Sequence, residues 1–114
     1  MHSKEFIETI KIVVEEASIK GIQENLNKPV GRHPDQKLIE LSRWFNSLSL
    51  EGKSMVSKII KESVEMSVFG FLCVLDGVRP IEDDEEKGKL ELFYEKNGSR
   101  ILLNDPDQEY LHNL

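Results

Sequence analysis

The sequence predicts an α+β domain: a three-helix layer with a long central third helix, a C-terminal antiparallel β-hairpin packed on it, and a short terminal helix. Three observations point there. Apolar residues recur at three- and four-residue steps over three stretches before Pro80, the signature of helices with one apolar side. After Arg79-Pro80 the period changes to two. Asn97-Gly98 then stands between two short runs, and Asn-Gly is the strongest short-range hairpin signal because both central residues of a type I′ turn need positive φ.

The first helix covers Lys4 to Leu26, where Phe6, Ile10, Val13, Val14, Ala17, Gly21 and Ile22 form the stripe and Lys and Glu fill the other side. Asn, Pro and Gly between Asn25 and Gly31 make a loop. Pro34 suits the first turn of a second helix and Asp35 its positive end, with Leu38, Ile39, Leu41, Phe45 and Leu48 as the apolar side. Ser49 is placed to cap a third helix that runs past Val56, Ile60, Val64 and Val68 to a stop at Asp76-Gly77, where glycine supplies a left-handed terminal residue. Val64 to Leu75 is nearly all apolar, so it is expected to be covered on every side, leaving the protein only its outer surface with which to act. Ser63, Ser67 and Gly70 share a face that would let another backbone approach.

A two-residue turn sets Glu95 opposite Arg100, Tyr94 opposite Ile101, Phe93 opposite Leu102 and Leu92 opposite Leu103. Leu90, Leu92, Tyr94, Ile101 and Leu103 then face the helices, while Phe93 and Leu102 form an apolar pair on the outer face. The chain end, with Tyr110, Leu111 and Leu114 on a short helix started by Asp107, is one candidate to cover that pair. A second copy or a partner protein is another.

The chain has 114 residues. That is one domain's length, with no room for a cofactor domain beside a substrate domain. The net charge of −6 is concentrated: residues 58–114 hold seven basic and thirteen acidic side chains, while residues 1–57 balance. Five acids are consecutive, Glu82, Asp83, Asp84, Glu85 and Glu86. Such a half repels phosphate backbones and anionic lipid, which argues against nucleic acid and membrane as partners. No apolar run approaches the ~20 residues that span a bilayer, and the charged amphipathic start is no secretory signal. A cytoplasmic protein is expected.

The chemistry-bearing residues are sparse. Cys73, the single cysteine, reads as a small buried hydrophobe. His2, His33 and His112 are scattered, without metal-ligand spacing, and no cofactor is implied. Asp105-Pro106-Asp107-Gln108-Glu109 alternates oxygen ligands, yet Tyr110 stands where a calcium loop needs glycine; a turn accounts for it better. Arg79 is either half of an inter-element salt bridge or an anion-binding group at a pocket rim. Trp44 is either a core anchor or, if exposed beside Arg43, an interface hot spot.

The stretch Phe69-Gly70-Phe71-Leu72-Cys73-Val74-Leu75-Asp76-Gly77-Val78-Arg79, followed by Leu102-Leu103-Asn104-Asp105-Pro106, resembles a family of small bacterial proteins with no established activity. The resemblance therefore implies no catalytic residues. In size, acidity and helix-plus-hairpin layout the chain is also similar to immunity proteins that neutralise bacterial toxins. The preferred expectation is a non-enzymatic binding protein whose acidic run Glu82 to Glu86, with Phe93 and Leu102, meets a basic protein partner. A small-molecule-binding protein or small enzyme, with a pocket lined by Trp44, Asp76, Arg79 and Tyr94, is the alternative. A homodimer formed through the outer hairpin face or the small-residue stripe is the third.

Overall fold

A computed structural model describes residues 1–114 and shows an α+β chain with three helices, a two-stranded hairpin and a short terminal turn of helix. The first helix is built in three consecutive pieces: α1 (Ser3–Ile10), a π-helical segment (Lys11–Glu16) and α2 (Ala17–Asn27). It is followed by α3 (Gln36–Asn46), α4 (Leu50–Leu75), β1 (Phe93–Lys96), β2 (Ser99–Leu102) and a 3₁₀ turn (Leu111–Asn113). No helix is long and apolar enough to cross a membrane. The chain divides into two compact units, Met1–Ile12 with Met66–Leu114, and Val13–Glu65.

In the Val13–Glu65 unit, α2 and α3 form a helical hairpin closed by polar contacts. The last carbonyls of α2 lack intrahelical partners, as at any helix end. Ser42 donates to Leu26 O at 2.8 Å, and Asn46 Nδ2 reaches Leu26 O and Asn27 O, each at 3.1 Å. Phe45 and Leu26 are the buried apolar residues here, and Lys53 lies over the Phe45 ring, 5.6 Å from its centroid. Asp35 is the N-cap of α3, accepting from Lys37 N at 2.8 Å, so Pro34 precedes the cap instead of sitting in the first turn. Ser49 caps α4 through Gly52 N at 3.1 Å, as expected from its position.

The other unit packs the end of α4 against α1 and the terminal turn. Ile7, Leu72 and Leu111 make its buried cluster, with Phe6, Val68, Leu75 and Leu114 around them. Leu111 is fully enclosed. α4 ends as the glycine signal predicts: Gly77 has φ +76°, its N–H bonds Val74 O, and Val78 N–H bonds Cys73 O, the two bonds of a Schellman cap. The hairpin has the expected register through Phe93 opposite Leu102, and Leu103 N–H adds a bond to Leu92 O at 2.8 Å. Asn97 and Gly98 both have positive φ, as a type I′ turn requires.

Two expectations about the core fail. Val64 to Leu75 is not sealed: Gly70, Leu72 and Cys73 are buried, but Met66 and Phe71 are 65% and 62% exposed. The packed elements cover one side of this helix, and a run that is apolar all round has no means of dictating that more should arrive. In the first helix Ile7 and Leu26 are buried while Val13, Val14 and Ile22 face solvent. The π-helical segment interrupts the helical period there, because its i→i+5 bonds make a wider turn and a single 3.6-residue stripe no longer holds on both sides of it.

Candidate functional site

The residues singled out from the sequence fall into several separate settings. The acidic run lies in the extended loop between α4 and β1 and is exposed throughout. Glu82 turns inward, its Oε2 accepting from Gly88 N at 2.9 Å. Asp83, Asp84, Glu85 and Glu86 have neither an ion pair nor a hydrogen bond within the chain. Exposed apolar residues stand at both ends of the run, Val78 and Ile81 before it and Leu90 after it, with Ile81 66% exposed. Leu90 was expected on the buried face of the hairpin; it lies short of the paired strands, which begin at Phe93.

The loop is anchored at its far end by Asn104. Its Nδ2 donates to Leu75 O at 2.7 Å and Leu90 O at 2.8 Å, and its Oδ1 accepts from Leu92 N at 2.8 Å. One amide thus ties the end of α4, the loop and the hairpin together. A side-chain amide is suited to this, since it both donates twice and accepts. Nothing in the local sequence gives Asn104 away, for its partners lie 12 to 29 residues off in the chain.

Of the proposed quartet, Asp76, Arg79 and Tyr94 belong to one unit and Trp44 to the other. Trp44, on α3 in the other unit, is 54% exposed and so is no core anchor. Tyr94 is half-buried on β1. Arg79 makes no salt bridge; its guanidinium lies against Gly70, where a Cβ would collide with it. Gly70 therefore admits a side chain from its own chain, and Ser63, on the same stripe, donates to Ile59 O at 2.7 Å. Arg79 also borders a cavity of about 300 Å³ shared with Val74, Pro80, Glu82, Lys87 and Lys89. A second cavity, about 410 Å³, lies between α2 and α3 and is lined by Ile22, Leu26, Leu38 and Leu41.

Phe93, of the outer pair of the hairpin, is stacked by a neighbour on the partner strand. Arg100 stacks over the Phe93 ring, 3.8 Å from its centroid, while its Nε meets Glu95 Oε1 at 3.0 Å. The terminal turn packs on Ile7 and Leu72 instead of covering Phe93 and Leu102. Cation–π stacking of this kind shields an aromatic face on an otherwise polar sheet side.

Asp76 has the most specific setting of all. Its carboxylate, 2% exposed, accepts from Leu111 N at 3.0 Å and from His112 N at 2.9 Å, and meets His112 Nδ1 at 2.7 Å. It therefore caps the terminal turn from across the unit, a role expected of Asp107; the turn before it is organised by Asp105, whose Oδ1 accepts from Asp107 N. The His112 ring stands edge-on to Phe69 and stacked on Tyr110, with centroids 5.5 and 5.3 Å away. Local spacing marks His112 only as an isolated histidine, because its partner lies 36 residues away.

Comparison with family models, curated proteins and solved structures finds nothing that matches this chain.

Proposed function

We propose that the chain is a protein-binding module, in which the loop from Ile81 to Leu90 meets a basic partner that also carries apolar surface. The observation that carries this reading is the state of Asp83, Asp84, Glu85 and Glu86: four adjacent exposed carboxylates with no partner of their own, set between exposed apolar residues. Clustered like charges raise the electrostatic cost of the free loop and fall in energy when an opposite charge arrives. The apolar flanks add contact area that does not fade with salt. Enclosure of α4 lends this reading no support, since Met66 and Phe71 on that helix are open to solvent. The likeness to immunity proteins in size, acidity and layout makes neutralisation of a basic toxic enzyme in the cytoplasm the sharpest form of this proposal.

Affinity purification from the source cells tests it, with a variant carrying Asp83→Asn, Asp84→Asn, Glu85→Gln and Glu86→Gln beside the native chain. A basic protein retained by the native chain, released by raised salt and lost with the variant is the expected result. Equal recovery by both chains, or recovery by neither, overturns the proposal. A small-molecule reading is favoured by one observation, the cavity beside Arg79. Thermal stabilisation by a metabolite that disappears in Arg79→Ala would support it.

A further inference from the structure

We propose that His112 is a nucleophilic imidazole, primed at Nε2 to accept an acyl group from an uncharged activated acyl donor, with Asp76 as its positioning residue. The assignment of protons follows from the hydrogen bonds. Asp76 accepts two backbone N–H groups, one on each oxygen, which is the pattern of an ionised carboxylate with no proton to offer. The third contact, His112 Nδ1 at 2.7 Å, must then be a donation from the ring. A neutral imidazole carrying its proton on Nδ1 presents its lone pair at Nε2. Nothing in the chain bonds to Nε2, and it is not among the buried atoms lacking a partner, so solvent reaches it. The ring is fixed on two sides by Phe69 and Tyr110, both partly exposed, which give the approach an apolar surround. A chain with net charge −6 favours an uncharged reactant over an anionic one.

In the step itself the Nε2 lone pair attacks the acyl carbon, and a C–N bond forms. The bond to the leaving group breaks, and its electron pair departs with that group. The acyl-imidazolium keeps the Nδ1 proton, with its positive charge set against the Asp76 carboxylate. Water then cleaves the acyl–nitrogen bond: its oxygen joins the acyl carbon to give the carboxylic acid, the bonding pair returns to Nε2, and the one proton released passes through solvent to the departed leaving group, which restores the ring to its starting form. The donor class is an activated ester or anhydride.

Diethyl pyrocarbonate, an acylating probe of imidazole, tests this on the intact native chain, with the site of modification read by peptide mass spectrometry. His2 and His33 are exposed and have no carboxylate partner, so they serve as internal references. The expected result is that His112 is modified first although it is the least exposed of the three. If His112 only fastens the chain end it is modified last, and that order overturns the proposal. Nitrogen NMR of the ring is the second readout: protonation at Nδ1 is expected, and a predominant Nε2–H form overturns it. In Asp76→Asn the modification rate of His112 is expected to fall below that of His33. Should that variant fail to fold, the order of modification in the native chain still decides.

Discussion

Asp76 and the carboxylates from Asp83 to Glu86 stand a few residues apart and are the same chemical group, yet the fold treats them oppositely. Asp76 is almost wholly withdrawn from water and receives two backbone N–H groups and an imidazole. The loop acids are exposed and receive nothing from the chain. A buried carboxylate is tolerable only when its lost hydration is replaced by donors. Four adjacent acids cannot all find such donors in a short loop, so they remain in water. The difference teaches that charge density is a poor guide to which acid holds the fold together: the isolated one, at the end of an apolar helix, does.

That comparison breaks most visibly at Asp76. Asp76→Ala leaves Leu111 N–H, His112 N–H and the ring without an acceptor. Hydrogen bonds to a charged group contribute ~1.5–3 kcal/mol each and are not additive, so a loss of about 3 kcal/mol in urea unfolding is expected. The amides of Leu111 and His112 should lose their hydrogen-exchange protection even under conditions where the rest of the chain stays folded. A loss under about 1 kcal/mol would mean that the terminal turn is held by Leu111 alone. Asn104→Ala follows, with an expected cost of about 2 kcal/mol for three neutral bonds at a half-buried position. It should also loosen the loop, seen as faster proteolysis between Ile81 and Leu90.

How much of this was legible beforehand depends on the range of the interaction. The Ser49 cap, the stop at Gly77 and the Asn97-Gly98 register are written in contiguous residues, and each appears in the structure as read. The same holds for Cys73, buried as its apolar surroundings imply. Asp76 with His112, Asn104 with Leu75, and Arg79 over Gly70 join residues 9 to 36 positions apart, and no periodicity encodes them. The acidic run was visible at once, but its lack of partners is a tertiary fact. The apolar run from Val64 to Leu75 does not foretell its own exposure, because hydrophobicity reports what a segment would prefer, whereas coverage depends on how many elements the chain can bring to it.

Gly70 offers a smaller and opposite effect. A Cβ there collides with the Arg79 guanidinium, which is the far end of a flexible and otherwise unpaired side chain. Gly70→Ala in a helix interior gains up to about 1 kcal/mol from reduced backbone freedom in the unfolded chain. The side chain of Arg79 swings away at little cost, so a net gain of roughly 0.5 kcal/mol is expected by thermal or urea unfolding. A loss instead would show that Arg79 is held over α4 by more than contact with the glycine.

The smallest effect on stability is expected where the charge is densest. Neutralising Asp83, Asp84, Glu85 and Glu86 together removes no bond within the chain, and surface changes of this kind stay within about 0.5 kcal/mol each. Their mutual repulsion is relieved, so the sign should be a slight gain, larger at low salt, where the Debye length is long, than at high salt. Unfolding of native chain and variant at two ionic strengths measures it. If the variant is instead destabilised at both, the loop acids hold structure after all, the contrast with Asp76 disappears, and the proposal that they await a basic partner loses the observation on which it stands.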